Sequence, residues 1–130
     1  CPQHTFLFLT KCPWNLPKYN PWPDNAWVGA SVTDNFPMGR TLRNLAKVKA
    51  KVRWLSIEPL LQPLAMCIYR IEGVVDWIVI GAQTGAGAVR PRREWMREIE
   101  EAANKAGIPV WFKDNLRKLY PELVRQELPR

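Results

Sequence analysis

Histidine and cysteine are scarce in this chain of 130 residues, which has one histidine and three cysteines. A Ser-His-Asp triad needs a histidine beside its serine, but His4 begins the first predicted strand, at the sheet edge opposite the strand ends. The cysteines at positions 1, 12 and 67 match neither a CxxC metal motif nor a paired disulfide framework. We therefore expect a cytoplasmic protein with no serine triad and no metal site in this chain.

Long apolar runs are absent too. No stretch approaches the roughly 20 apolar residues that cross a bilayer, and no secretory signal precedes the first strand. Basic residues, by contrast, are in excess, with 19 Lys and Arg against 12 Asp and Glu and a net charge of +7. The sequence argues against a membrane partner and favours nucleic acid or another polyanion, although solvated basic helix faces produce the same excess.

The chain also lacks the length of a complete eight-stranded α/β barrel, which takes about 250 residues. It begins at Cys1 rather than at a methionine. We expect a single domain over residues 1–130 that is the C-terminal part of a longer protein, although a trimmed chain begins in the same way.

What the sequence does contain is a rhythm of five short runs rich in β-branched, aromatic and aliphatic residues. They are His4–Lys11, Ala26–Val32, Lys51–Glu58, Trp77–Gln83 and Val110–Asp114, and their starts lie 22, 25, 26 and 33 residues apart. Such intervals fit a strand plus a helix, and runs apolar on both faces are typical of parallel strands covered by helices. The sequence predicts an α/β fold, a partial (β/α) barrel of about five parallel strands with covering helices. The alternative is a flavodoxin-like doubly wound sheet, which strand order distinguishes.

Helical patterns fill the intervals between these runs. Residues 37–50 and 94–106 carry apolar side chains on one stripe and charged ones outside it. A last helix is predicted over residues 115–128, interrupted at Pro121. The segment Cys12–Asn25 contains four prolines, which predict a short helical turn and an extended, packed connection.

Polar residues follow the runs, at the edge where parallel sheets collect their sites. Glu58 is the sharpest candidate catalytic residue, because a carboxylate among apolar neighbours at a strand tip is placed to act on a ligand. Its plain alternative is a structural ion pair with Lys11, Lys113 or Arg90.

Two lysines lie at the ends of the first and last predicted strands. Lys11 and Lys113 are candidate substrate-binding residues, since either ammonium group can bind a carboxylate or phosphate. A paired-carboxylate hydrolase that combines Glu58 with Asp34 or Asp114 also stays open, because the sequence fixes no distance between them.

The loop Gly81–Pro91 is the strongest local motif. Its glycines, Gly85 and Gly87 among them, let backbone N–H groups approach a ligand, and Arg90 adds a forked donor for substrate. The loop is not a dinucleotide fingerprint, because Arg90 stands where the third glycine belongs, and no Gly-Lys-Ser/Thr follows. The alternative interpretation of this loop is a tight strand-to-helix turn.

Six segments of the chain resemble the C-terminal half of a phage-associated family of unknown function, the gp-thirty-seven/gp-sixty-eight type. They are Phe8–Lys11, Trp27–Val32, Arg53–Leu61, Asp76–Gly81, Gly85–Ala88 with Arg90–Pro91, and Trp111–Lys113. The family is similar to radical SAM enzymes, whose fold is a full or partial (β/α) barrel. Full-length members carry a three-cysteine motif that ligates a four-iron cluster.

The resemblance implies S-adenosylmethionine and the cluster as cofactors of the full-length parent only. The cysteines here do not match the motif, so the chain is expected to be inactive alone and to hold no cofactor itself. By resemblance Thr10, Ser31, Glu58, Gln83 and Lys113 line the lower half of the cavity. Gln83 stands where the family usually has glutamate, so a role that needs charge is not expected there.

A competing hypothesis is a basic nucleic-acid-binding or adaptor domain.

If the chain is a partial barrel, it leaves two sheet edges and one sheet face without partners. We then expect these to meet the missing N-terminal half or, in the isolated chain, a second copy.

Overall fold

Five parallel strands form one sheet in the computed structural model, which describes residues 1–130. The strands are β1 (Phe6–Thr10), β2 (Ala26–Val32), β3 (Val52–Ile57), β4 (Trp77–Ile80) and β5 (Val110–Phe112). The α-helices are α1 (Asn35–Leu45), α2 (Arg93–Ala106) and α3 (Asp114–Arg117), and two 3-10 helices cover Pro13–Tyr19 and Ile68–Arg70. Every predicted run therefore contains a strand.

The strands stand side by side in chain order, β1-β2-β3-β4-β5, and each pairs in parallel with the next. A doubly wound sheet reverses its order once, and this sheet does not. Buried residues of α1 and α2 also belong to the same core cluster, so both long helices cover one face. The predicted α/β fold is confirmed, and its strand order is that of a partial barrel.

The face of the sheet beneath α1 and α2, here called the helix face, carries the main core. Val28, Leu55 and Ile78 of the strands join Leu42 and Ile99 of the helices in a cluster of 27 buried residues. Each of these strand side chains is completely buried, as expected for parallel strands covered by helices. This cluster is the principal apolar contribution to stability.

Helix α1 ends at Leu45 rather than at residue 50, so the predicted boundary was wrong. The side chain of Asn20 donates to the Lys47 carbonyl at 2.8 Å and accepts from the Lys49 N–H at 2.9 Å. These bonds hold residues 47–49 against the proline-containing segment instead of letting the helix continue. Trp22 of that segment packs on the main core, as a packed connection requires.

The opposite face of the sheet, here called the tryptophan face, carries one tryptophan from each of four strands: Trp27, Trp54, Trp77 and Trp111. The Trp77 ring centroid lies 5.8, 5.3 and 6.4 Å from those of Trp27, Trp54 and Trp111. Gly29 makes room for this packing, because a Cβ there would lie 2.6 Å from the Trp54 ring. The rings fill this face of the sheet much as large side chains fill a barrel.

The two edges of the sheet differ. β1 is open, and its Phe6, Leu7, Phe8 and Leu9 are 45, 52, 44 and 48% exposed. β5 is covered, because the chain returns antiparallel to it: Phe112 N–H donates to the Arg125 carbonyl, and Glu127 N–H donates to the Val110 carbonyl. The expectation of two open edges was therefore wrong at β5.

The returning segment, residues 125–127, is here called the tail, and it replaces a predicted helix. The α-helix found here is Asp114–Arg117, so only residues 115–117 of the predicted helix over residues 115–128 are α-helical. Pro121 cannot continue a helix, and the free edge of β5 offers the tail backbone partners that water would otherwise supply. The Trp77 indole N–H adds a 2.7 Å bond to the Glu127 carbonyl.

The tail predicts a pH dependence of stability. The Val110 N–H, which donates to Glu127 Oε1 at 2.9 Å, and the Arg125 guanidinium together hold the pKa of Glu127 below its ordinary value of 4.5. A lowered pKa stabilises the folded chain above the unfolded value, and that stabilisation is lost as pH falls through the folded pKa. Glu127→Gln should therefore be less stable than wild type at neutral pH.

Urea unfolding of both proteins from pH 7 to pH 3 measures the effect. The difference in free energy of unfolding between wild type and Glu127→Gln should narrow below pH 4.5. Glu101→Gln, on the exposed part of α2, is the control, because it shows the effect of losing an unpartnered carboxylate. If this difference in free energy of unfolding stays constant from pH 7 to pH 3, the charge of Glu127 does not stabilise the docked tail.

Candidate functional site

An ion pair lies at the carboxyl edge of the sheet, across the end of β4. Glu58 follows β3 and Lys113 follows β5, and the Lys113 ammonium donates to both Glu58 carboxylate oxygens, at 2.9 and 2.8 Å. The two side chains are 30 and 43% exposed. The pair is thus partly shielded from water yet open to a ligand.

Gly81 makes this pair geometrically feasible. The residue follows β4, which lies between β3 and β5, and a Cβ on it would lie 2.9 Å from Glu58 Cδ. The side chains of Glu58 and Lys113 therefore meet over a strand end that has no side chain of its own. Any residue larger than glycine would push the carboxylate away from the ammonium.

A polar layer separates the ion pair from the tryptophans. Ser31 of β2 and Ser56 of β3 are direct partners in the parallel register, and Ser56 is only 2% exposed. Because side chains alternate along a strand, Ser56 shares the tryptophan face with Glu58, two residues on. The tryptophan face thus changes from apolar to polar toward its carboxyl edge.

An open recess of about 270 Å³ adjoins the ion pair and is lined by Trp111, Lys113, Asp114, Asn115 and Gln126. Asn115 fixes the neighbouring chain, since its side-chain amide accepts from the Ala82 N–H at 3.0 Å and donates to the Ala82 carbonyl at 3.1 Å. The Asp114 carboxylate accepts from the Gln126 amide at 3.0 Å. The wall beside Lys113 is therefore held by hydrogen bonds.

The region that contains these residues matches a protein family. A family model described as "Protein of unknown function (DUF5131)" matches residues 1–120. The chain belongs to this family. No curated protein and no solved structure matches it. The matched range contains all five strands, Glu58 and Lys113.

The other predicted site residues of the DUF5131 chain make no side-chain hydrogen bond or ion pair with Glu58 or Lys113. Thr10 pairs with Ala30 in the register, on the helix face, and its hydroxyl accepts from the Cys12 N–H at 2.9 Å. Lys11 is exposed and makes no ion pair. Gln83 is exposed, and its side-chain oxygen accepts from the Val89 N–H at 2.8 Å.

The loop after β4 is built around positive φ angles. Gly85 has φ of 98° and Gly87 has φ of 72°, a region that favours glycine. Arg90 leaves this loop toward the C-terminal part of the chain, where its guanidinium lies 5.0 Å from the Tyr120 ring centroid. Of the three partners considered for Glu58, the structure selects Lys113 over Lys11 and Arg90.

Two elements of the DUF5131 site escaped sequence reasoning. Ser56 could have been found by counting two residues back from Glu58 along a strand, because that step preserves the face. Asn115 could not, since its bonds to Ala82 join residues 33 apart in the chain. Gly81 was included in the glycine loop, but its role is to leave space for Glu58 rather than for a ligand.

Metal ligands are not grouped anywhere in the structure: no cluster of three or more His, Cys, Asp or Glu side chains is arranged to hold an ion. The free cysteines Cys1, Cys12 and Cys67 do not form such a group either. An iron-sulfur cluster therefore does not fit the residues of this chain. None of the helices has the length and hydropathy needed to span a bilayer.

Proposed function

We propose that this DUF5131 chain is the ligand-lining C-terminal half of a radical-SAM-like barrel, and that the Glu58–Lys113 pair binds the charged end of a small ligand. The observation that carries the proposal is the pair itself, which lies half-exposed over Gly81 at the carboxyl edge of a parallel sheet. Ligand sites in such sheets lie at that edge.

The chemistry of the pair favours a zwitterionic group. An α-ammonium group can replace Lys113 as partner of the Glu58 carboxylate, and an α-carboxylate can replace Glu58 as partner of Lys113. Both protein charges then keep a partner. An unpaired charge would cost free energy in a partly buried site. Ser31 and Ser56 provide hydroxyl groups one layer below.

S-adenosylmethionine, the ligand that the resemblance implies, carries such a group on its methionine portion. Glu58 and Lys113 are the residues that would hold it, with Ser31 beneath. The four-iron cluster belongs, on this proposal, to a longer phage-related parent, and no step of chemistry is assigned to residues of this chain.

The open edge of β1 supports the second part of the proposal, which concerns the partner. Phe6–Thr10 has no charged residue and exposes apolar side chains on both faces, a combination that protected edge strands avoid. We infer that a further strand pairs with β1, supplied by the N-terminal half of the barrel or, in the isolated chain, by a second copy.

Calorimetric titration with S-adenosylmethionine and with methionine tests the ligand site. Glu58→Gln keeps the shape of the side chain and removes its charge, so binding of either ligand should weaken about ten- to hundredfold, the range for a charged hydrogen bond. Gly81→Ala keeps the charge but displaces the carboxylate, and it should also weaken binding.

The matched control is Asp76→Asn, which alters an ion pair with Arg53 at the amino edge of the same sheet. This variant should bind both ligands as wild type does. The proposal is wrong if wild type binds neither ligand, or if Asp76→Asn weakens binding as much as Glu58→Gln.

A further inference from the structure

Three arginines crowd the start of α2, on the rim of the carboxyl edge. Arg90, Arg92 and Arg93 line an open recess of about 360 Å³ together with Glu94 and Tyr120. The guanidinium groups of Arg90 and Arg93 lie 5.0 and 4.9 Å from the centroid of the Tyr120 ring. Tyr120 itself is 8% exposed and donates its hydroxyl to the Pro91 carbonyl at 2.8 Å. A buried, anchored ring therefore presents two positive charges to solvent.

The charge of this recess is only partly neutralised. Arg93 pairs with Glu122 at 2.6 Å, and Glu94 adds a carboxylate to the lining. Arg90 makes only long hydrogen bonds, 3.4 Å to the Tyr120 hydroxyl and 3.3 Å to the Leu119 carbonyl, and Arg92 takes part in no ion pair. The arginines repel one another at this density, and a bound anion relieves that repulsion.

Exposed aromatic rings lie on the same rim. Trp14 follows β1 and is 50% exposed, and Phe36 follows β2 and is 90% exposed. Because the strands are parallel, the chain leaves every one of them at the carboxyl edge, so these rings share a rim with the arginines that follow β4. Lys11, also exposed, adds a positive charge beside β1.

The arrangement matches the needs of an unpaired polynucleotide. Proteins that bind single strands combine a positive path for the phosphates with aromatic rings on which bases stack. β1 and β4 are three interstrand spacings apart, about 14 Å at roughly 4.8 Å each, a distance that a few nucleotides span. A duplex keeps its bases paired and cannot use the rings.

We infer that the carboxyl rim binds single-stranded nucleic acid, with phosphates at Arg90 and Arg92 and bases on Phe36 and Trp14. Neither arginine bonds to Glu58 or Lys113. The nucleic-acid site can therefore be tested independently of the small-ligand site.

Fluorescence anisotropy with a short labelled oligothymidylate, over a series of salt concentrations, tests the inference. The double variant Arg90→Gln/Arg92→Gln should weaken binding and reduce the slope of log affinity against log salt by about 1.4, twice the value for one phosphate contact. Arg92→Gln alone makes half that change without touching the Tyr120 contact. Phe36→Ala should weaken binding at least about fivefold and leave the salt slope unchanged.

The charge-matched control is Arg97→Gln/Lys105→Gln, on the exposed part of α2. Wild-type binding to a duplex should be weaker than to the single strand. The inference is overturned if the control pair loses as much affinity as the arginine pair, if Phe36→Ala has no effect, or if the duplex binds equally well.

Discussion

Replacing Trp77 by alanine should lower the free energy of unfolding by about 3–5 kcal/mol, the usual cost of truncating a buried aromatic side chain. Trp77 is 5% exposed and touches the rings of Trp27, Trp54 and Trp111. Its indole N–H also holds the tail through the Glu127 carbonyl. The substitution therefore opens a cavity in the tryptophan face and releases one tail contact.

Such a loss is a large part of the stability of a domain, which is about 5–15 kcal/mol in total. Urea unfolding followed by far-UV circular dichroism measures it. Trp77→Phe retains most of the packing and loses the indole donor, so it should cost about 1 kcal/mol for the hydrogen bond plus a smaller packing loss.

Trp14→Ala is the comparison for aromatic content, because Trp14 is 50% exposed. It should destabilise much less than Trp77→Ala. Equal losses for the two variants would mean that the tryptophan face is not a cooperative part of the fold.

The double variant Leu7→Lys/Leu9→Lys should prevent the self-association that we propose for the isolated chain. Both leucines lie on β1 in register with Trp27 and Gly29, and they are 52 and 48% exposed. Two lysines on an edge strand oppose strand addition by charge and by the loss of apolar contact. Because neither side chain belongs to the buried core, the fold should survive.

Sedimentation velocity over micromolar concentrations compares the variant with wild type. Met66→Lys adds a positive charge at a methionine that is 78% exposed and lies outside the sheet, and it should associate as wild type does. A wild-type chain that sediments as a monomer at these concentrations would show that β1 does not recruit a second copy.

The strands were predictable because five apolar runs at β/α intervals leave few other arrangements for this chain. Which strand would be exposed was not. Phe6–Thr10 reads as a buried strand by composition, yet it lies at the sheet edge with both faces partly in solvent. Composition reports that a segment can be buried, whereas the place of a strand in the sheet depends on its neighbours.

Within the site, position along a strand decided what the sequence could indicate. Glu58 at a strand tip was predicted, but its partner was left among three cations, because the choice depends on Gly81 leaving space across β4. Thr10 was placed by its strand end, and the register puts it on the helix face instead. A shift of one residue along a strand exchanges the two faces.

The tail has a consequence for truncation of the chain. A chain that ends after Pro121 keeps all five strands but lacks residues 125–127, so it exposes both edges of its sheet and leaves the indole donor of Trp77 without its acceptor. Two open edges allow copies to add on both sides of the sheet, so association need not stop at a pair.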